Sequence, residues 1–208
     1  MASYKALVKD VIKKADVLLE VIDSRFPDET RNSEVEREII RLNKPFIIVI
    51  NKSDLVSREK LEKTKARLSR IAPVVFVSSK DRSGTTMLRH QILASAAIKA
   101  GIKGQDILVG TLGYPNVGKS SVINGVTGRH RASTSPVSGI MFIDTPGVIP
   151  FDEKDEYLQG LLGIKDETHL KDKIGVALKI IEKMLAENKV ALESFYSIKI
   201  ENETSYDA

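Results

Sequence analysis

Five apolar, β-branched-rich runs punctuate the chain: DVLLEVID (16–23), PFIIVIN (45–51), PVVFVSS (73–79), DILVGTLG (106–113) and IMFIDT (140–145). They are nearly continuous rather than alternating, the pattern of strands buried on both faces of a parallel sheet. Helical periodicity fills the intervals. NSEVEREIIRL (32–42) puts Val35, Ile39 and Leu42 on one face, with Asn32 or Ser33 as the cap. SREKLEKTKARLSRI (57–71) turns Leu61, Leu68 and Ile71 inward beneath a basic outer face, and TTMLRHQILASAAIKAG (85–101) ends at Gly101, a C-terminal cap. Strand–helix alternation with short connections predicts a mostly parallel α/β sheet flanked by helices. Beyond Asp144 the pattern is helical, with FYSIKI (195–200) as the one further strand candidate. The expected division is an α/β domain over residues 1–160 and a short C-terminal helical segment over 161–208, closing in a solvated tail.

Of the 208 residues, 42% are hydrophobic, enough for one substantial α/β domain with an appendage. There is no cysteine, which excludes disulfides and thiolate metal sites and fits a reducing cytoplasm. No basic-then-apolar leader and no membrane-length apolar run is visible, so a soluble cytoplasmic protein is expected. The net charge of +4 is unevenly spread. Residues 1–150 carry 24 Lys and Arg against 15 Asp and Glu, a surplus of nine; residues 151–208 carry 8 against 13, a deficit of five. A basic body with an acidic tail suggests an anionic partner for the body, nucleic acid first. On charge alone, ordinary solvated surface explains it as well.

GYPNVGKS (113–120) fits G-x-x-x-x-G-K-[ST] between a strand and the helical SSVINGV. Gly113 and Gly118 let backbone N–H groups turn toward phosphates, with Asn116, Val117 and Ser121 completing the cradle. Lys119 reaches the β- and γ-phosphates, and the Ser120 hydroxyl ligates Mg²⁺. DTPG (144–147) comes after a strand and fits D-x-x-G: Asp144 holds Mg²⁺ through water and the Gly147 N–H senses the γ-phosphate. Alone it is a common turn; behind a P-loop it gains meaning. NKSD (51–54) is a guanine reader. The Asp54 carboxylate accepts from the ring N1–H and the exocyclic amine, a donor pair that adenine lacks. Asn51 fixes the loop and contacts the base edge, while the Lys52 stem packs over the ring. Taken singly, Ser53 or Asp54 is explained as a helix cap. SSK (78–80) lies after the next strand, where a backbone N–H near Ser79, beside Ser78, meets the guanine oxygen and Lys80 covers the base.

The order of these elements is unusual, since the base reader and second base contact precede the P-loop and D-x-x-G. In that order the chain resembles the circularly permuted GTPases of the YlqF/YawG family, associated with assembly of the large ribosomal subunit. The opening ADVLLEVIDSRFPDETRN is also similar to that family's first strand and loop. The resemblance spans roughly residues 1–160, and the short acidic C-terminal helices fit the family's RNA-contacting appendage only loosely. It implies a P-loop fold, GTP and GDP as ligands with Mg²⁺, hydrolysis to GDP and phosphate, and a partner in the large ribosomal subunit or its RNA. A monomer with no membrane contact is expected. Alternatives from other classes are a regulatory GTPase acting on a protein target without RNA, and an ATP-using P-loop enzyme, against which the 51–54 and 78–80 elements argue.

Val148 stands where many GTPases carry a water-orienting Gln, so slow intrinsic turnover is expected. Asn116 matches GTPases in which this residue helps coordinate K⁺, a stand-in for the charge of an arginine finger; a permissive loop residue is an equal reading. TGRHRASTSPVSG runs into IMFIDT with no room for the usual edge strand. Either this switch is truncated or a stretch between Gly139 and Ile140 is missing, the second being favoured, so no switch Thr is assigned and Thr134 is a weak candidate. His90 and His169 read as surface or packing residues, and His130 lies in a basic stretch that could approach RNA phosphates.

Overall fold

The five apolar runs form five parallel strands, β1 (Val17–Asp23), β2 (Phe46–Asn51), β3 (Val74–Phe76), β4 (Ile107–Leu112) and β5 (Ile140–Asp144), ordered β3-β2-β1-β4-β5. The computed structural model describes residues 4–100, 106–127, 139–144 and 156–200. Every residue of β1 and β2 is buried, which is why these strands read as unbroken apolar runs. Helices α1 (Tyr4–Lys14), α2 (Ser33–Arg41), α3 (Arg58–Leu68), α4 (Thr85–Ser95) and α5 (Lys119–Thr127) accompany the sheet. From β1 the chain runs outward through β2 and β3, then returns to the other side of β1 for β4 and β5. The carboxyl ends of β1 and β4 therefore flank the point where the winding reverses, the favoured crevice for a ligand in such sheets.

On α2, Ile39 is buried and Val35 and Leu42 pack against the same core, and the cap is Asn32, whose side chain accepts from the Val35 N–H at 3.0 Å. Helix α1 was not anticipated from the sequence, although Val8, Val11, Ile12 and Ala15 make an i, i+3, i+4 stripe that is buried. It lies close over β4 because residue 110 is glycine: a Cβ there would sit 2.7 Å from Val11 Cγ1. Helix α3 ends at Leu68, so Ile71 leaves the inward face and is 36% exposed, contrary to expectation. FYSIKI is not a strand: Phe195 and Tyr196 end a helix, and Ser197 terminates it in the left-handed region. The period-3.6 pattern upstream outweighs the β propensity of these few residues. The expected cap at Gly101 lies outside the described residues.

The chain divides into two compact units, Met1–Phe151 and Asp152–Ala208. Within the second, α6 (Glu156–Leu161) and α7 (Lys173–Tyr196) approach closely at Gly160, where a Cβ would lie 2.7 Å from Val176 Cγ1. Among the described residues no helix is long and apolar enough to cross a membrane.

One polar residue interrupts the buried sheet. Glu20, in the middle of β1, accepts from the Asn32 N–H through Oε1 at 2.8 Å, and Arg31 clasps neighbouring Glu36 with bonds of 2.8 and 2.7 Å. Burial pushes the Glu20 carboxyl well above its usual value, and the Glu36 charge adds to the shift. Burial alone would push Glu36 up too, but hydrogen bonds from Arg31 and Glu20 carry it below the ordinary range. The pair thus holds one proton, on Glu20, whose Oε2 otherwise has no donor. A raised folded-state value means that Glu20 contributes stability in acid, below its unfolded value, and loses it as pH rises through the folded value. The Glu20→Gln variant removes this titration while keeping an acceptor for Asn32. Denaturant unfolding should therefore show wild type losing stability relative to Glu20→Gln as pH rises from acid to neutral; parallel pH curves would show that Glu20 does not carry the proton.

Candidate functional site

The turn after β4 is shaped by residues that accept unusual backbone angles. Gly113 has φ +142°, and a Cβ there would collide with the Val21 carbonyl oxygen, so the loop starts pressed against β1. Asn116 adopts φ +61°, a left-handed conformation that Asn tolerates better than most residues. Gly118 has φ +93°, and a Cβ there would overlap the Asn51 amide. Tyr114 and Val117 are buried and pin the loop from beneath. Lys119 opens α5 and is itself buried; its Nζ donates to the carbonyls of Gly113 at 2.8 Å and Tyr114 at 2.6 Å. Ser120 and Ser121 come next, on the exposed first turn. A loop of turned-in N–H groups, a lysine at its centre and a helix N-terminus suit a polyphosphate.

β2 ends beside this loop although β1 lies between β2 and β4. Sequence reasoning gives Asn51 two tasks, and the first is visible. Its Nδ2 donates to the Val117 carbonyl at 2.8 Å, and its Oδ1 accepts from Ser79 Oγ at 3.2 Å, so one buried amide ties together three loops. Lys52, at φ +58°, donates to the Asn116 carbonyl and to Asp23 Oδ2, each at 2.8 Å. Asp54 is exposed, with one carboxylate oxygen oriented by the Ser78 hydroxyl at 2.6 Å. The same hydroxyl accepts from the Asp81 N–H at 3.0 Å, and Ser78 pairs with Ser83 across the loop. β3 stops at Phe76 because Ser78 already belongs to this turn.

Ser79, exposed Lys80 and Ser121 line one cavity of about 650 Å³ between the 78–85 segment and the start of α5, within the range of small-ligand pockets. Arg82, Thr85, Asn124 and Gly125 complete its wall. Asp144 ends β5, paired in register with Thr111 of β4, so its backbone lies one strand from the phosphate loop. A serine hydroxyl and an aspartate at neighbouring strand ends are hard oxygen donors of the kind Mg²⁺ takes. Gly147, Thr134, Val148 and His130 lie outside the described residues.

Sequence reasoning missed the end of β1. Asp23 is buried there, and accepts from Arg25 Nε at 3.0 Å and NH2 at 2.8 Å as well as from Lys52. Burial pushes its carboxyl up, but the bonds from Arg25 and Lys52 outweigh this and hold it below the usual range. Ser24 Oγ donates to the Lys52 carbonyl at 2.6 Å, and Ser24 N–H to the Asn51 carbonyl at 3.0 Å. The available signal was a charged and polar triplet directly after a fully apolar strand.

Comparison with known proteins places these features. A family described as 50S ribosome-binding GTPase matches residues 108–203. An uncharacterized GTP-binding protein of Methanocaldococcus jannaschii is 36% identical, over 95% of this chain and 54% of that one. GTPase grn1 of Schizosaccharomyces pombe is 32% identical over 86% of this chain and 46% of its own length. Nuclear GTP-binding protein NUG1 of Saccharomyces cerevisiae is 29% identical over 93% and 44%. The chain thus spans about half the length of the curated relatives it matches. Among solved structures, GDP-bound TM YlqF superposes with a TM-score of 0.62 at 21% identity, over 92% of this chain and 81% of that one, a likeness of fold.

If Asn51 ties the loops together, its loss should be felt without any ligand. Asn51→Ala leaves the Val117 carbonyl and the Ser79 hydroxyl unpaired and should destabilise the nucleotide-free chain by about 1–3 kcal/mol in denaturant unfolding. Unchanged stability would mean that the amide serves a ligand and not the fold.

Proposed function

The chain belongs to the circularly permuted P-loop GTPases, and from that membership we propose that it binds GTP and GDP, hydrolyses GTP slowly and acts as a switch in assembly of the large ribosomal subunit. The observation that carries this reading is the pair of bonds from Asn51 and Lys52 to the phosphate loop, across as many as 66 residues of sequence. They bring a base reader and a phosphate cradle to the separation a single nucleotide needs.

Asp54, oriented by Ser78, accepts from N1–H and the exocyclic amine of guanine. Asn51 holds the slot together, while the Lys52 stem and Lys80 flank the ring and an N–H near Ser79 meets the guanine oxygen. The N–H groups of the 113–118 loop, with Ser121, receive the phosphates. Lys119 exchanges its two carbonyl partners for β- and γ-phosphate oxygens, a move that needs only rotation of its flexible stem. Ser120 and Asp144 would hold Mg²⁺, which neutralises charge on the β- and γ-phosphates when bound. Gly147 senses the γ-phosphate. With Val148 unable to orient water, turnover is slow unless a partner or K⁺ near Asn116 supplies the missing charge. The descriptions attached to the matching family and the basic surplus of residues 1–150 support a ribosomal or ribosomal-RNA partner.

Replacing Asp54 by Asn should weaken GTP by about a hundredfold or more and favour xanthosine triphosphate, whose second carbonyl accepts from the new amide. Fluorescence titration with both nucleotides measures this, and retention of the guanine preference would remove Asp54 from base reading. Co-sedimentation with purified large ribosomal subunits should be stronger with a non-hydrolysable GTP analogue than with GDP. Absence from the subunit in every nucleotide state would refute the assembly role.

A further inference from the structure

The carboxylate at the end of β1 has no role in base reading, phosphate binding or hydrolysis, yet it is the most heavily engaged side chain in the crevice. Asp23 is 2% exposed. It accepts from the Arg25 N–H at 3.0 Å, from Arg25 Nε at 3.0 Å and NH2 at 2.8 Å, and from Lys52 Nζ at 2.8 Å. Its own N–H donates to Thr30 Oγ1 at 3.0 Å, and Thr30 is itself fixed to the Phe26 carbonyl at 2.6 Å. The carboxylate is therefore anchored before Lys52 arrives.

Lys52 needs an anchor. It sits at φ +58°, a conformation that costs a residue with a Cβ roughly 1–2 kcal/mol. Its four-carbon stem is flexible, and a free ammonium would be drawn into solvent. Asp23 and the Asn116 carbonyl, on opposite sides of the crevice, fix the two ends of its reach. We propose that Asp23 is a positioning residue for nucleotide retention, holding the Lys52 stem as one wall of the guanine slot while the same ammonium stays tied to the phosphate loop. The inference rests on the reading of Lys52 as a wall of that slot. Its consequence is that the loop after β1, which touches no part of the nucleotide, sets how long the nucleotide stays.

The test is the rate at which unlabelled GDP chases N-methylanthraniloyl-GDP from the full chain, for wild type, Asp23→Ala, Asp23→Asn, Lys52→Ala and the Asp23→Ala/Lys52→Ala double variant. Loss of a charge-assisted, largely buried contact should speed release by about tenfold in Asp23→Ala. Asp23→Asn keeps an acceptor for Lys52 and should fall between. In the Lys52→Ala background, Asp23→Ala should add nothing further, because its effect passes through the lysine. Release at the wild-type rate in Asp23→Ala would overturn the inference. So would an equal acceleration with Lys52 already removed, which would mark a general loosening of the β1 loop. Thermal unfolding checks that the variants are folded, and if Asp23→Ala is not, Asp23→Asn completes the same cycle. Failure of the unaltered chain to bind labelled GDP is a separate result, which overturns the functional reading itself.

Discussion

The site depends on one crowded point, where the Asn51 amide fills the space that a side chain at residue 118 would occupy. That amide reaches past the end of β1 to the Val117 carbonyl and accepts from Ser79. Everything specific about the crevice derives from this contact. Gly118 must be glycine because the amide leaves no room for a Cβ, and its φ of +93° turns the loop inward. Lys52, the next residue, then lies within reach of both the Asn116 carbonyl and Asp23. In a medium of low dielectric these bonds are stronger than on an open surface, and each is costly to leave half made.

This geometry explains why reading the base early in the chain does not disturb the site. β2 and β4 stand on either side of β1, so their loops converge above it whichever comes first in sequence. Sheet packing depends on which strands are neighbours, not on where the chain between them is cut. The altered order does change the exit from the phosphate sensor. After β5 the chain proceeds to the second compact unit and not back to another strand among the described residues.

Much of the fold was legible because buried parallel strands carry a strong signal. The runs at 17–23 and 46–51 were identified nearly to the residue, since each strand is buried throughout and bounded by polar positions. Where pattern alone had to fix an end, it drifted. Ile71 looked inward only while α3 was assumed to continue, and Phe195 and Tyr196 looked like a strand because aromatic content was weighed without the long helix before them. In the site, the residues of G-x-x-x-x-G-K-[ST] and N-K-x-D were found by spacing, because local backbone geometry demands it. Asp23 and Glu20 were not. Their roles come from contacts with Lys52 and Glu36 that no local spacing announces.

If the 51–54, 78–80 and 113–120 elements compose one guanine nucleotide site, the chain must tell guanine from adenine. Isothermal titration of the chain with GDP and, separately, with ADP addresses this most directly. The expected result is one molecule of GDP per chain, with ADP at least about a hundredfold weaker because adenine offers the Asp54 carboxylate no paired donors. Comparable affinity for the two nucleotides would contradict it.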